Sequence, residues 1–254
     1  MIAMPCRLIP ISAFLAILLL SGGCAGLKPL TPLAADRKAA VVEECGRPFL
    51  QKGYRLVHAM ETVMPGGASG TAIGVMTADP GKGTFRTVFM TIEGMVLFDV
   101  EAGETLTVHR AVPPFDAPAF AGGLAQDIRL AFFHPGGEPA AWGAGEEGTP
   151  VCRFDRADGS LVEVRTAEAG EVSIRLYGAG QELRKRVTMA RPKRPGLADT
   201  LEIRGGDWLT YTLRLRLLES EALDGDAGAG PGSALPAPGL PDTGEQYREG
   251  TKIP

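Results

Sequence analysis

Leu209-Thr210-Tyr211-Thr212-Leu213-Arg214-Leu215-Arg216-Leu217 alternates without a break. Leu209, Tyr211, Leu213, Leu215 and Leu217 fall on one side of an extended chain; Thr210, Thr212, Arg214 and Arg216 fall on the other. The stretch therefore reads as a β-strand with one apolar face and one wet face, the pattern of an antiparallel sheet packed on one side. The same period of two recurs upstream in residues 54–63, 71–77, 84–91, 95–100, 105–111, 151–154, 161–165, 172–177, 186–189 and 201–204, about eleven strands in all. Turn chemistry separates them: Ile92-Glu93-Gly94, Glu101-Ala102-Gly103-Glu104, Asp158-Gly159 and Ala169-Gly170. Short strands joined by tight turns form an antiparallel meander.

Two stretches break this rhythm. Residues 36–44 are compact and alanine-rich. Residues 120–133 place Leu124, Ile128, Ala131 and Phe132 near helical spacing, and Pro135-Gly136-Gly137 stops them. A helix inserted midway through a meander is expected to lie across a concave sheet face.

The N-terminus carries an address. One basic residue, Arg7, precedes the 13-residue apolar run 8–20, and Ser21-Gly22-Gly23-Cys24 follows. That run is short for a membrane span and the small residues come at once, the pattern of an export signal. Cys24 after small residues resembles the lipobox of bacterial lipoproteins, in which the thiol is acylated and becomes the new N-terminus. Ala25 after it, by resemblance to the enterobacterial sorting rule, would send the anchor to the outer membrane. The alternative is an ordinary secretory signal with an incidental Cys24. Residues 1–23 are thus expected to be a signal peptide and 24–37 a lipidated tether. With Cys6 removed and Cys24 lipidated, Cys45 and Cys152 are left as one candidate disulfide in an oxidising compartment. The sequence alone leaves open whether they meet, and two cysteines without matching histidines make a poor zinc site.

The 34 glycines and 20 prolines argue against a helical bundle, and they have two separate uses. Many punctuate the turns of the domain expected over residues 38–223. Twelve more stand among the 31 residues of 224–254, where alternation stops and the chain is expected to be a disordered tail. A net charge of −4 excludes a nucleic-acid-binding surface spread over the whole molecule. Chemistry-bearing patterns are sparse: His58, His109 and His134 are isolated, Glu43-Glu44 and Glu146-Glu147 are adjacent and diverging, and Ser69 lacks the context of a nucleophile elbow. No enzyme, metal or cofactor is therefore expected. The run Arg184-Lys185-Arg186, with Arg191, Lys193 and Arg194, is either solvated surface or a contact for anionic headgroups or a partner.

The order of these elements (lipidated N-terminus, short helix, hairpins, mid-chain helix, further hairpins) is similar to that of the LolA/LolB lipoprotein-localisation superfamily. Residues 85–133 carry most of the resemblance. Within them Leu124, Asp127, Leu130 and Phe133 look like the Leu-x-x-Asp-x-x-Leu-x-x-Trp/Phe stretch of LolB-like lipoproteins. The resemblance implies a mainly β, α+β fold: a curved, unclosed antiparallel half-barrel with a helical lid. It also implies a lipid-anchored outer-membrane protein facing the periplasm, a monomer that binds a hydrophobic ligand or acyl chains and works in lipoprotein handling. Residues on the apolar sides of the strands and helix are the lining candidates: Val88, Met90, Leu97, Ile128, Phe132, Leu213 and Leu215. The bland alternative is that these fill a solid core, in a structural or accessory lipoprotein that docks another envelope component.

Overall fold

The computed structural model describes residues 27–63, 67, 69–167, 170–206 and 211–223. The chain divides into two units at Leu223/Asp224, and the described residues belong to the first. The signal segment, Cys24 and the tail all lie outside them.

Twelve strands form one sheet: β1 (Tyr54–Val63), β2 (Ser69–Asp79), β3 (Thr84–Met90), β4 (Val96–Ala102), β5 (Leu106–Ala111), β6 (Ala141–Ala144), β7 (Pro150–Asp155), β8 (Leu161–Thr166), β9 (Glu171–Tyr177), β10 (Leu183–Ala190), β11 (Thr200–Gly205) and β12 (Tyr211–Ala222). Every pairing between neighbours is antiparallel. The order is β5-β4-β3-β2-β1-β12-β11-β10-β9-β8-β7-β6, so two meanders are joined where β12 returns to pair with β1. β5 and β6 remain the two outer strands, and the curved sheet is an unclosed half-barrel.

The strand that opened the reading behaves as its alternation dictates. Leu213, Leu215 and Leu217 stand opposite Thr62, Met60 and His58 of β1. All of them face the concave side, where Leu213 and Leu215 join a core with Leu56, Met60, Met76, Phe89, Phe98, Val164, Ile174, Val187 and Ile203. Arg214 and Arg216 are exposed on the convex side.

One strand is invisible in the pattern. Ala141-Trp142-Gly143-Ala144 has no β-branched residue, yet it forms β6 because both of its sides are engaged. β7 pairs along one side, and Thr31 exchanges two backbone hydrogen bonds with Ala144 along the other (2.8 and 2.9 Å). The N-terminal segment so covers a sheet edge that would otherwise be bare. It comes so close that a Cβ on Gly143 would stand 2.6 Å from the Thr31 carbonyl oxygen, which only glycine avoids.

Two helices occupy the concave side. α1 (Lys38–Gly46) packs on β6, β7 and β8 through Val41 and Cys45. α2 (Pro118–Phe132) begins with proline in its first turn, the position where a missing N–H costs nothing. It stops where Phe133 turns extended, before Gly136 and Gly137 adopt positive φ (90° and 65°). α2 touches β5 and β9, so it lies across the hollow of the sheet. No described helix is long and apolar enough to cross a membrane.

Candidate functional site

The concave face and α2 together make the candidate site. α2 is buried on nearly every side: Ala121, Leu124, Ala125, Asp127, Ile128, Leu130, Ala131 and Phe132 are all under a tenth exposed. Phe120 extends this contact, meeting Phe98 edge to face at 5.2 Å. Beneath the helix lies a cavity of about 30 Å³, lined by His58, Met60, Met76, Phe89, Ile128, Phe132, Leu213 and Leu215 among others. That is room for about one water molecule. The hollow of the half-barrel is therefore filled by α2.

What fastens the helix is partly polar. Asp127, 4% exposed, receives hydrogen bonds from Lys185 Nζ (2.6 Å to Oδ1) and from the Tyr211 hydroxyl (to Oδ2). Lys185 Nζ also donates to the Gly123 carbonyl at 3.1 Å. Nearer the C-terminal end, Arg129 donates to the carbonyls of Gly83 (3.3 Å) and Gly103 (3.0 Å) in the turns before β3 and after β4. Burial pushes the Asp127 carboxyl up, against the opposing pull of Lys185 and Tyr211. The Tyr211 phenol is pushed far up by burial and by the neighbouring carboxylate, so it stays a donor. His58, buried against Phe132 at 5.7 Å, is lowered to about 4 by burial and is neutral at pH 7.

Because Asp127 balances a lysine whose side chain is only 13% exposed, Asp127→Asn leaves a buried ammonium without a counter-charge. We expect Asp127→Asn to cost about 2 kcal/mol in a urea titration. A second change, Lys185→Met, is expected to recover most of that loss.

Of the residues singled out for the cavity, Ile128, Phe132, Leu213 and Leu215 line it. Val88, Met90 and Leu97 do not. In β3 it is Thr87 and Phe89 that face the cavity, and in β4 it is Phe98 that joins the core, so the alternation sends Val88, Met90 and Leu97 to the convex side. Val88 is buried there by its neighbours in the sheet yet is no part of the concave core. The reason in β3 is parity: residues 84–91 carry apolar side chains on both faces, and hydrophobicity alone does not choose between them. Among the methionines, Met60 and Met76 line the cavity, whereas Met95 is 55% exposed.

The basic run 184–186 is likewise split by parity. Lys185 shares its face with Val187 and Met189 and turns inward to Asp127, while Arg184 pairs with Glu182 at the surface (2.7 Å). Reading the run as charge concealed this; reading it as a strand, with two apolar residues at the same parity, would have found it. Arg191 pairs with Glu44 (2.5 Å) and Lys193 with Asp199 (3.7 Å).

The structure joins Cys45 to Cys152 by a disulfide, which ties α1 to β7. Ser69 is exposed at the start of β2. The three histidines are apart: His58 in the core, His109 beside Glu101 on outer strand β5, and His134 between Phe49 and Phe154. Among the described residues, no three His, Cys, Asp or Glu side chains are grouped to hold a metal. A larger open groove of about 420 Å³ lies chiefly on the convex side, lined by Glu61, Thr188, Thr200, Glu202, Arg214 and Arg216 with others. Its charged walls are a poor match for an acyl chain.

No family model and no curated protein matches the chain. Solved structures do match, 18 chains of them. One is the crystal structure of a LolA superfamily protein from Nitrosomonas europaea, which is 10% identical in sequence. The match covers 74% of this chain and 94% of that one, with a TM-score of 0.50. In its unclosed antiparallel half-barrel with helices on the concave side, the chain has the LolA/LolB-like fold.

Proposed function

We propose that this protein is a lipid-anchored envelope lipoprotein that takes a hydrophobic ligand or acyl chain on the concave face of its half-barrel. In this reading Cys24 carries the anchor, the domain stands as a monomer on the periplasmic side of the outer membrane, and its work is lipoprotein handling. It needs no catalytic group, metal or cofactor. The observation that carries the reading is the construction of the concave face: a largely apolar surface spanning β1–β3 and β8–β12, crossed by helix α2, which is tied down through Asp127 and Arg129. A packed core has no need of a buried Lys–Asp pair at its lid, since apolar residues of similar volume hold such a site at least as well.

A cavity of about 30 Å³ holds no acyl chain, and ligand pockets run to roughly 300 Å³ or more. The ligand therefore takes the place of α2 side chains, and α2 moves outward when it binds. The same small cavity favours the second reading, an accessory lipoprotein with a solid core that docks another envelope component. Native mass spectrometry of the mature chain purified from an envelope extract separates the two. Co-purifying lipid or lipopeptide, displaced by added diacyl lipopeptide, is the result expected; a bare protein that ignores added lipopeptide would leave only the accessory reading.

A further inference from the structure

The convex face carries a row of charge that the cavity does not use. Across six strands, Arg153 (β7), Glu163 (β8), Arg175 (β9), Arg186 (β10), Arg204 (β11) and Thr212 (β12) stand directly opposite one another in register. Glu163 is consumed by Arg153 and Arg165 (2.9 and 2.6 Å), with Arg175 at 4.0 Å. Glu202 pairs with Arg204 and Arg214 (2.5 and 2.8 Å). Arg186 is left between Arg175 and Arg204, with Arg165 near, and makes no ion pair among the described residues. Like charges directly opposite in a sheet repel, so this arrangement costs stability unless an anion sits on it. Among the described residues, the remaining carboxylates of this side are Glu61, Asp155, Glu171, Glu219 and Glu221 on β1, β7, β9 and β12, Asp79, Asp99 and Glu101 on the farther strands β2 and β4, and Glu146, Asp158 and Glu182 in the turns. Of these, Glu182 is engaged by Arg184, Asp158 by Ser160 and Glu146 by Lys28.

The chain's own route points to the same place. Arg153 donates to the Lys28 carbonyl (2.5 Å), and the Leu27 N–H donates to Gln181 in the β9–β10 turn (3.2 Å). The N-terminal segment so crosses the convex side and leaves it beside β9 and β10. Cys24 lies three residues further back, within about 11 Å of Leu27 at full extension.

We propose that Arg175, Arg186 and Arg204 form a docking surface for the anionic phospholipid headgroups of the membrane that holds the anchor. This rests on the Cys24 anchor reading. Guanidinium groups bind phosphate bidentately, and a row of them on adjacent strands, a few ångströms apart, matches a plane of headgroups. The convex side of β9–β11 then lies on the bilayer, and the lid helix on the other side of the sheet is free to move.

The test uses the mature chain carrying Cys24→Ser, with no lipid attached, in co-sedimentation with phosphatidylglycerol–phosphatidylcholine vesicles and with phosphatidylcholine vesicles. Binding only to the anionic vesicles is expected, and Arg186→Gln/Arg204→Gln is expected to weaken it roughly 30-fold. The control Lys193→Gln/Arg194→Gln removes the same charge from the β10–β11 loop and is expected to change binding less than twofold. Both variants are checked by circular dichroism. Equal loss in both, or equal binding to both vesicle types, would overturn the proposal. So would release by inorganic phosphate at matched ionic strength, which would mark a small-anion site. Failure of the anchor reading shows elsewhere, as an intact mass of the protein purified from the envelope with no acyl groups on Cys24.

Discussion

Replacing both Cys45 and Cys152 by alanine, or reducing their bond, is expected to lower the stability of the domain by about 4–5 kcal/mol. The disulfide closes a loop with a sequence separation of 107, and in the chain-entropy account the stabilisation grows with the logarithm of that length. The loop holds seven of the twelve strands or their parts, from β1 to β7, and all of α2. Cutting it frees the denatured chain far more than the folded one, since both sulfurs are buried where α1 meets β7 and packing there outlasts the bond. For a domain of about 200 residues the loss corresponds to a fall in Tm of roughly 10–15 °C. Calorimetry with and without reductant measures it. A shift under a degree or two would mean that the reduced chain keeps the loop closed by other contacts.

Glu163→Ala is expected to cost a similar amount, about 3–5 kcal/mol. Glu163 has no exposed side-chain surface, and its two oxygens accept from Arg165 (2.6 Å) and Arg153 (2.9 Å). Removing the carboxylate leaves those guanidinium groups, and Arg175 beyond them, facing one another under the N-terminal segment. Burial by itself raises the Glu163 carboxyl, but the hydrogen bonds from Arg165 and Arg153 outweigh it and the net shift is downward. Its contribution is therefore fully present above pH 4.5, the unfolded value, and is lost as pH falls through the lower folded value. His58 acts in the same direction over a higher window: lowered from 6.5 to about 4, it withdraws about 3 kcal/mol as pH falls across that range. Asp127, raised by burial, works against both. Urea titrations at stepped pH are expected to show stability declining from pH 6.5 downward. In His58→Phe the slope between pH 6.5 and 4 should flatten, and an unchanged slope there would contradict this assignment.

How far the residues foretell the molecule depends on whether one physical rule decides each case. Leu213, Leu215 and Leu217 were placed correctly because their neighbours are polar and only one face can be buried. Val88 and Met90 lie on the convex side because β3 carries apolar residues on both faces, and Leu97 lies there because it shares its parity with Asp99 and Glu101, while Phe98 and Val100 take the core side of β4. β6 escaped notice because its stability comes from Thr31 and β7, not from its own residues. The pairing of Asp127 is legible only in part: the parity shared with Val187 and Met189 turns Lys185 inward, but that it meets Asp127 depends on where α2 crosses the sheet, which no local pattern contains. The same holds for Glu163 and its arginines, whose spacing in the chain is unremarkable until β7, β8 and β9 are laid side by side.

The central claim is that the concave face accepts an acyl chain by displacing α2. Hydrogen exchange of the mature chain, followed with and without a diacyl lipopeptide, tests it most directly. With ligand, the amides of α2 should exchange faster while those of β1, β11 and β12, whose inner face the chain would cover, are unchanged or slower. Unaltered exchange across α2 at saturating lipopeptide would contradict the account and leave a half-barrel whose interior is simply a core.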